Sequence, residues 1–146
     1  MKKIFTLLVL FGMLFISCSD DDNNTGNVSQ CDLTSQIIEN EVFQDIETYN
    51  YQINNVVLNQ NCLEITLTSS GCDGNTWEMN LYSTDNFYDP IYPLQRAVKL
   101  ELINNEICLA IIQKTISFDL TPLQIEEQNE VPLNIEGWEE QIIYQY

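Results

Sequence analysis

The chain has 146 residues, with 22 Asp and Glu, five Lys and Arg, no histidine and a formal net charge of −17. Its length suits a single domain with one hydrophobic core. So few basic residues exclude nucleic-acid binding, which depends on neutralising phosphates. The lack of histidine excludes Ser-His and Cys-His nucleophile pairs.

The first residues have the layout of a secretory signal peptide. Lys2 and Lys3 precede an apolar run over residues 4–16, and the small residue Ser17 stands before Cys18. A charged start, a short apolar segment and a small residue before the cut are typical of such leaders. As a helix the run would span about 20 Å, less than the roughly 30 Å core of a bilayer. We therefore predict a removable leader over residues 1–17.

The end of this leader, "FISC" at residues 15–18, resembles the lipobox of bacterial lipoproteins, with Phe15 where leucine is usual. The resemblance implies that Cys18 is acylated and becomes the first residue of the mature chain. Two or more acyl chains hold a protein stably on a membrane. Loss of Lys2 and Lys3 would leave a formal charge of −19, which favours cationic partners.

Residues 18–30 are rich in acidic and turn-forming residues, so we predict a flexible acidic tether. The residues after Cys18 resemble the export signal of Bacteroidota-type surface lipoproteins, which implies a lipid-anchored protein on the outer membrane, displayed at the cell surface. The segments "SSGCDGNTWE" and "LTPLQ" are also similar to small uncharacterised lipoproteins of that group, which carry no agreed activity. The residues that match the export signal are Ser19, Asp20, Asp21 and Asp22.

Four cysteines remain if Cys18 carries lipid, and in an exported domain they predict two disulfides. A bridge between Cys62 and Cys72 is disfavoured, because a strand of about seven residues between them spans about 20 Å. Two pairings survive, and we favour Cys31 with Cys62 and Cys72 with Cys108. Without histidine or a close Cys pair, we expect no zinc site.

The folded domain is predicted to cover residues 31–146 and to open with an ambiguous segment. Residues 34–48 show helical spacing of apolar residues, but we favour a strand at 34–38 followed by a turn. Two strands follow, "YQINNVVLNQ" and "CLEITLTSS". In the second, Leu63, Ile65 and Leu67 alternate with polar residues, which predicts one buried face.

Further strands follow the turn "GCDGN". In "TWEMNLY", alternation predicts that Trp77 faces the core. The segments "AVKLELI" and "EICLAII" flank Asn104-Asn105, which predicts a two-residue type I′ hairpin. Its register would pair Leu102 with Ile107 and Leu100 with Leu109.

The last part of the chain continues the pattern. "TISFDL" extends the second arm of that hairpin, and "EVPLNIEGWEEQIIYQY" predicts two strands that turn near Gly137. Seven or eight short strands predict an all-β, antiparallel β-sandwich. We favour an immunoglobulin-like arrangement over a closed barrel.

The longest irregular connection, residues 83–96, is the candidate binding segment, because long loops often carry function. Its alternative role is to fold back and cover an open end of the sandwich. Arg96, which ends it, is expected to pair with a carboxylate. A second aromatic, beside Gly137, is expected to be exposed. The candidate binding residues are Phe87, Tyr88, Tyr92 and Trp138.

These observations favour a non-catalytic surface lipoprotein that binds a protein or a glycan. The alternative is an inhibitor of a cationic envelope-attacking enzyme such as lysozyme, because the acidic charge would speed association with a basic partner. A hydrolase built on two carboxylates is the weakest hypothesis, since no pair stands out among 22 acidic residues. We expect no catalytic residues, no metal and no cofactor.

Overall fold

A computed structural model describes residues 31–87 and 92–146 of the chain. The predicted leader, Cys18 and the export signal Ser19–Asp22 lie outside the described residues, as does Tyr88. Within the described part, no helix has the length and apolar character needed to cross a membrane.

The described residues form nine strands, one α-helix and a short 3-10 helix. The strands are β1 (Leu33–Thr34), β2 (Gln36–Ile38), β3 (Gln52–Asn59), β4 (Cys62–Gly71), β5 (Glu78–Thr84), β6 (Arg96–Ile103), β7 (Ala110–Asp119), β8 (Glu130–Ile135) and β9 (Ile142–Gln145). Helix α1 covers Asn40–Asp45, and the 3-10 helix covers Thr121–Leu123.

The strands form two open sheets that enclose one core, so the predicted all-β sandwich is confirmed. The first sheet has the order β1-β7-β4-β3 and the second the order β2-β5-β6-β8-β9. Antiparallel pairing dominates, as expected, but three pairs are parallel: β1 with β7, β2 with β5, and β6 with β8. The parallel β6–β8 pair positions the groove described below.

The core follows the alternation seen in the sequence. Leu63, Ile65 and Leu67 of β4 are fully buried, and Trp77 is buried as predicted. From the second sheet, alternate residues of β5, β6 and β8 pack against them. Burying a leucine or isoleucine contributes about 1.5–3 kcal/mol, so these alternating residues hold the two sheets together.

The ambiguous segment contains both structures considered for it. The chain pairs with β7 through β1, passes Ser35, and then pairs with β5 through β2. Buried Ser35 fixes this change of sheet, because its backbone N–H and its hydroxyl both donate to the Asp119 carbonyl, at 3.0 and 2.7 Å. Helix α1 follows at once and buries Phe43. The favoured strand forms, in two parts on either side of Ser35, but the turn expected after it is wrong, because helix α1 takes its place and accounts for the helical spacing.

Both disulfides form in the favoured pairing. Cys31 bonds Cys62 with the Cα atoms 5.5 Å apart, and Cys72 bonds Cys108 with the Cα atoms 4.8 Å apart. The first bridge lies where β4 begins, and the second lies beyond the opposite end of that strand. The two cross-links therefore fasten the two ends of the sandwich.

The predicted hairpin at Asn104-Asn105 is wrong. Strand β6 belongs to the second sheet and β7 to the first, so residues 104–109 cross from one sheet to the other. Ile107 and Leu109, expected to face β6, are almost fully exposed. The side chain of Asn104 instead donates to the Ser70 carbonyl at 2.7 Å. Alternation indicates strands, but it does not say which sheet each strand joins.

The turn near Gly137 is confirmed. Strands β8 and β9 pair antiparallel on either side of it, with Val131 opposite Tyr144. Gly137 has φ of +83°, a left-handed conformation that favours glycine. The backbone N–H of Trp138 donates to the Ile135 carbonyl at 3.1 Å and closes the turn.

Candidate binding groove

A groove of about 720 Å³ lies on the outer face of the second sheet, beside α1. Its size falls within the range of small-ligand sites, roughly 300–1,000 Å³. We call it the amide groove, because many of its polar side chains are Asn and Gln. It is lined by Asn40, Phe43, Gln44, Thr84, Asn86, Phe87, Gln95, Ala97, Val98, Lys99, Asn134, Ile135 and Glu136.

The floor of the amide groove comes from the parallel pair β6–β8. Val98 and Ile135 are partners in the register and belong to the core. Alternation therefore turns their neighbours Ala97 and Asn134, also partners in the register, to the outer face. The small side chain of Ala97 leaves the depression open beside the Asn134 amide.

One wall of the groove is α1, which Lys99 fastens to the sheet. The Lys99 ammonium, nearly buried, donates to the carbonyls of Gln44 and Ile46 at 3.3 and 3.2 Å. It also lies 5.2 Å from the centre of the Phe43 ring. A cation at the carbonyl end of a helix is electrostatically favourable. The wall is therefore held by a charge from the groove's own floor.

The carboxylate of the groove is already engaged. Glu136 lies 3.6 Å from the Lys99 ammonium and accepts a hydrogen bond from the Thr48 hydroxyl. Its side chain is half exposed, so one side still faces solvent. The lining thus offers one partly satisfied carboxylate beside several amides.

Arg96 holds the opposite end of the groove. Its Nε donates to the Leu123 carbonyl and its Nη1 to the Thr84 carbonyl, both at 2.8 Å. The guanidinium also lies 5.2 Å from the Phe87 ring centre, a cation–π contact. Burial lowers the pKa of Arg96 from its usual value, because it removes solvent from the charged form. Among the described residues no carboxylate forms an ion pair with Arg96, which binds backbone carbonyls and positions Phe87.

Three amide side chains form a network at the groove's rim. Gln95 Oε1 accepts from Asn134 Nδ2 and from Gln141 Nε2, both at 3.1 Å. Gln141 Nε2 also donates to Asn134 Oδ1 at 3.0 Å. This leaves the Gln95 NH₂ group without a partner among the described residues. The network therefore fixes side chains that retain donors for a ligand.

Of the three predicted binding residues that the structure describes, one lies in the amide groove. Phe87 lines the amide groove, whereas Tyr92 is 74% exposed and outside its lining. Trp138, expected to be exposed, is half-buried and packs against the hydrophobic core. Its Nε1 has no hydrogen-bond partner among the described residues. Tyr88 lies outside the described residues, so only Phe87 is placed in the groove.

The sequence prediction missed the amides Asn40, Gln95 and Asn134. They come from α1, the long connection and β8, so no local motif joins them. One signal was present: in "VPLNI", alternation places the Asn134 side chain on the face of the strand opposite to its buried neighbours. The parallel β6–β8 pair, which brings Asn134 beside Ala97, has no sequence signal of its own.

On the other side of α1 lies a smaller depression of about 410 Å³. Its lining carries three carboxylates and no basic residue, and Val42 and Ile103 add exposed apolar surface. We call it the acidic depression. It is lined by Val42, Asp45, Ile46, Glu47, Asn50, Glu101, Leu102 and Ile103.

Over residues 31–87 and 92–146, no group of three or more Cys, Asp or Glu side chains is arranged to hold a metal ion. The two depressions described above are lined by side chains. The amide groove offers amides and an aromatic ring, and the acidic depression offers charge.

Comparison with known proteins supports the fold and goes no further. No protein-family model matches the chain, and no curated protein matches it. A crystal structure of a protein of unknown function, DUF1344, from Bacteroides vulgatus ATCC 8482 is similar, with a TM-score of 0.53 and 15% sequence identity. The match covers 78% of this chain and 56% of the other. At that identity the likeness shows a shared fold alone.

Proposed function

We propose that this protein is a lipid-anchored surface lipoprotein whose β-sandwich binds a glycan in the amide groove without cleaving it. The leader, Cys18 and the acidic residues after it support the anchor and the location. The amide groove is the observation that carries the binding role. Its walls belong to regular elements and to loops fixed by hydrogen bonds, as in a pre-formed site.

The chemistry of the lining matches the chemistry of a sugar. Sugar hydroxyls both donate and accept hydrogen bonds, and an amide side chain offers both functions at its tip. Asn134 and Gln95 present such amides at fixed positions. The Phe87 ring adds an apolar surface against which the C–H face of a sugar can pack. A neutral or hydroxyl-rich ligand therefore suits this groove better than a strongly charged one.

Binding is favoured over hydrolysis by the carboxylates of the lining. Glycosidases use two carboxyl groups on either side of the scissile bond. The amide groove contains one, Glu136, which is occupied by Lys99 and Thr48. We therefore propose a role in recognition.

The test is a calorimetric titration of the full-length chain, kept in detergent micelles, against a panel of cell-surface and dietary polysaccharides. We expect Asn134→Ala and Phe87→Ala each to weaken binding about tenfold, which corresponds to about 1.4 kcal/mol. Tyr92→Ala is the matched control, because Tyr92 is an exposed aromatic outside the lining.

Two results would contradict the proposal. One is the absence of heat with every polysaccharide of the panel. The other is binding that Tyr92→Ala weakens and Asn134→Ala leaves unchanged, which would move the site to the exposed part of the loop.

The second candidate function is inhibition of a cationic envelope-attacking enzyme such as lysozyme. The acidic depression supports it, because Asp45, Glu47 and Glu101 converge there with no basic residue in its lining. Complementary charge of this kind steers a basic partner and raises the association rate.

Lysozyme activity measured with increasing amounts of the protein tests this candidate. Inhibition should be strongest at low salt, should fall steeply as salt rises, and should weaken in Glu47→Gln and Glu101→Gln. If lysozyme and other basic hydrolases keep full activity at low salt, the candidate is rejected.

A further inference from the structure

One edge of the first sheet is left open along most of β7. Strand β1 covers that edge only at Phe118 and Asp119. From Ala110 to Ile116, β7 pairs with β4 on one side, and no described strand pairs with it on the other. The pairing with β4 runs from Gly71 to Cys62 without a register shift, so this edge is regular.

Hydrogen bonds near the end of β7 show which backbone groups face outward. The N–H of Ser117 donates to the Asp32 carboxylate at 2.9 Å, and the Asp119 carbonyl accepts from the Ser35 N–H. Both groups therefore point away from β4. Since alternate residues of a strand direct their backbone groups to the same side, the N–H and C=O groups of residues 111, 113 and 115 point outward too.

The other sheet edges are protected in ways that β7 is not. Strand β3 has a bulge between Ile53 and Asn55, and bulges discourage edge pairing. Edge strands β2 and β9 have only three and four residues. The open part of β7 is seven residues long, and Lys114 is its one charged residue. It is thus the longest regular edge among the described residues.

Beside this edge, the chain presents aliphatic side chains to solvent. Ile107, Leu109 and Ile111 are 94, 88 and 75% exposed. The residues between them set this outward orientation, because Glu106 binds the loop after β4 and Cys108 is bonded to Cys72. The polar and cross-linked positions therefore face the domain, and the aliphatic positions face away. We call Ile107, Leu109 and Ile111 the aliphatic ridge.

We propose that a second copy of this chain pairs with the open edge of β7, antiparallel and about a two-fold axis, and covers the aliphatic ridge. This goes beyond the proposed function and does not depend on it. With a two-fold axis, β7 of each copy both donates hydrogen bonds to β7 of the other copy and accepts hydrogen bonds from it. Main-chain hydrogen bonds supply affinity, and alternate side chains supply register. An axis at Ile111, for example, places Leu109 of each copy opposite Gln113 of the other.

The charge of the open edge favours a second copy as occupant. The whole chain carries −17, but the open edge carries only Lys114, so copies approach with least repulsion here. Salt therefore distinguishes this pairing from capture of a cationic protein: screening strengthens a contact between two acidic copies and weakens one with a basic partner.

The test is sedimentation equilibrium of the full-length chain in detergent, with the solvent density matched to the micelles, at low and high salt. We expect a dimer whose dissociation constant falls as salt rises. Hydrogen exchange should slow on dimerisation at the amides of Ile111, Gln113 and Thr115. A monomer at all concentrations and salts overturns the proposal, and so does a dimer protected elsewhere.

Two variants locate the contact. Gln113→Pro removes an outward N–H without removing a bond to β4, and should weaken dimerisation at least tenfold, whereas Gln113→Ala keeps that N–H and should weaken it much less. Leu109→Lys changes only a protruding side chain, so it should weaken the dimer even if the proline variant folds poorly. Dimerisation unaffected by Leu109→Lys would contradict the proposal.

Discussion

The two ends of the sandwich are each held by one charged side chain that binds backbone groups, but the two charges are opposite and their surroundings differ. At one end, buried Arg96 donates to the carbonyls of Thr84 and Leu123. At the other end, Glu106 accepts from the backbone N–H groups of the loop after β4. The cation binds backbone carbonyl groups, and the anion binds backbone N–H groups.

The Glu106 end is the more solvated of the two. Its carboxylate accepts from the N–H groups of Cys72, Asp73 and Gly74, the last two at 3.2 and 3.1 Å, and from the Thr76 hydroxyl at 2.9 Å. Desolvation raises the pKa of Glu106, but these hydrogen bonds outweigh it and lower the pKa to about 2. Successive N–H groups that converge on one anion form a nest.

The difference teaches how each end stays fixed. Arg96 has almost no access to water, so its removal leaves two carbonyls without partners. Glu106 stands partly in solvent, where water can replace it, and the covalent bridge between Cys72 and Cys108 holds the same loop. The Arg96 end therefore depends on one side chain, whereas the Glu106 end is also held by the Cys72–Cys108 disulfide.

The largest expected effect is at the Glu106 end, in the double variant Cys72→Ala, Cys108→Ala. Removing the bridge should lower the free energy of unfolding by about 3–4 kcal/mol, because the unfolded chain regains the freedom of a long loop. Urea unfolding measures this loss. The variant Cys31→Ala, Cys62→Ala is the matched control: its sequence separation is 31 against 36, so its loss should be similar. A loss below about 1 kcal/mol would contradict the covalent role.

At the other end, Arg96→Met should lower the free energy of unfolding by about 2–3 kcal/mol, because two buried carbonyls lose a charged donor. Arg96→Lys is the control, since it keeps the charge but lacks the planar guanidinium, whose separate N–H groups reach the two carbonyls. It should recover only part of the loss in the same urea experiment. Equal stability of Arg96→Met and the unmodified chain would show that water satisfies both carbonyls.

The smallest expected effect belongs to Glu106→Gln, which keeps the acceptor and removes the charge. The lowered pKa means that the charged form stabilises the fold above the ordinary value of 4.5, and that this contribution is lost as pH falls from 4.5 toward about 2. The stability difference between the unmodified chain and the variant should therefore be present at neutral pH and should shrink over that window. Unfolding measured across pH tests it, and a difference that is constant with pH would contradict the nest.

The sequence predicted features that depend on local alternation or on reach. Alternation placed Leu63, Ile65 and Leu67 inside, and the reach across a strand disfavoured a bridge between Cys62 and Cys72. These predictions succeed because each rests on one strand and its geometry.

The prediction that paired β6 with the next strand along the chain failed. Residues 104–109 alternate as a hairpin arm would, but Asn104 binds the Ser70 carbonyl near the end of β4 and Glu106 binds the loop after it. These bonds draw the chain into the other sheet. The amide groove was beyond prediction for a similar reason. Asn134 and Ala97 meet only because β8 pairs parallel with β6, a pairing made across distant parts of the chain.

The most direct test of the central claim, that the amide groove binds a glycan, is two-dimensional NMR of the side-chain NH₂ groups during a glycan titration. We predict that the resonances of Gln95 and Asn134 shift together and saturate with the calorimetric dissociation constant, while amides elsewhere, such as Asn54, stay in place. A glycan that binds by calorimetry and leaves the Gln95 and Asn134 resonances unchanged would contradict the account.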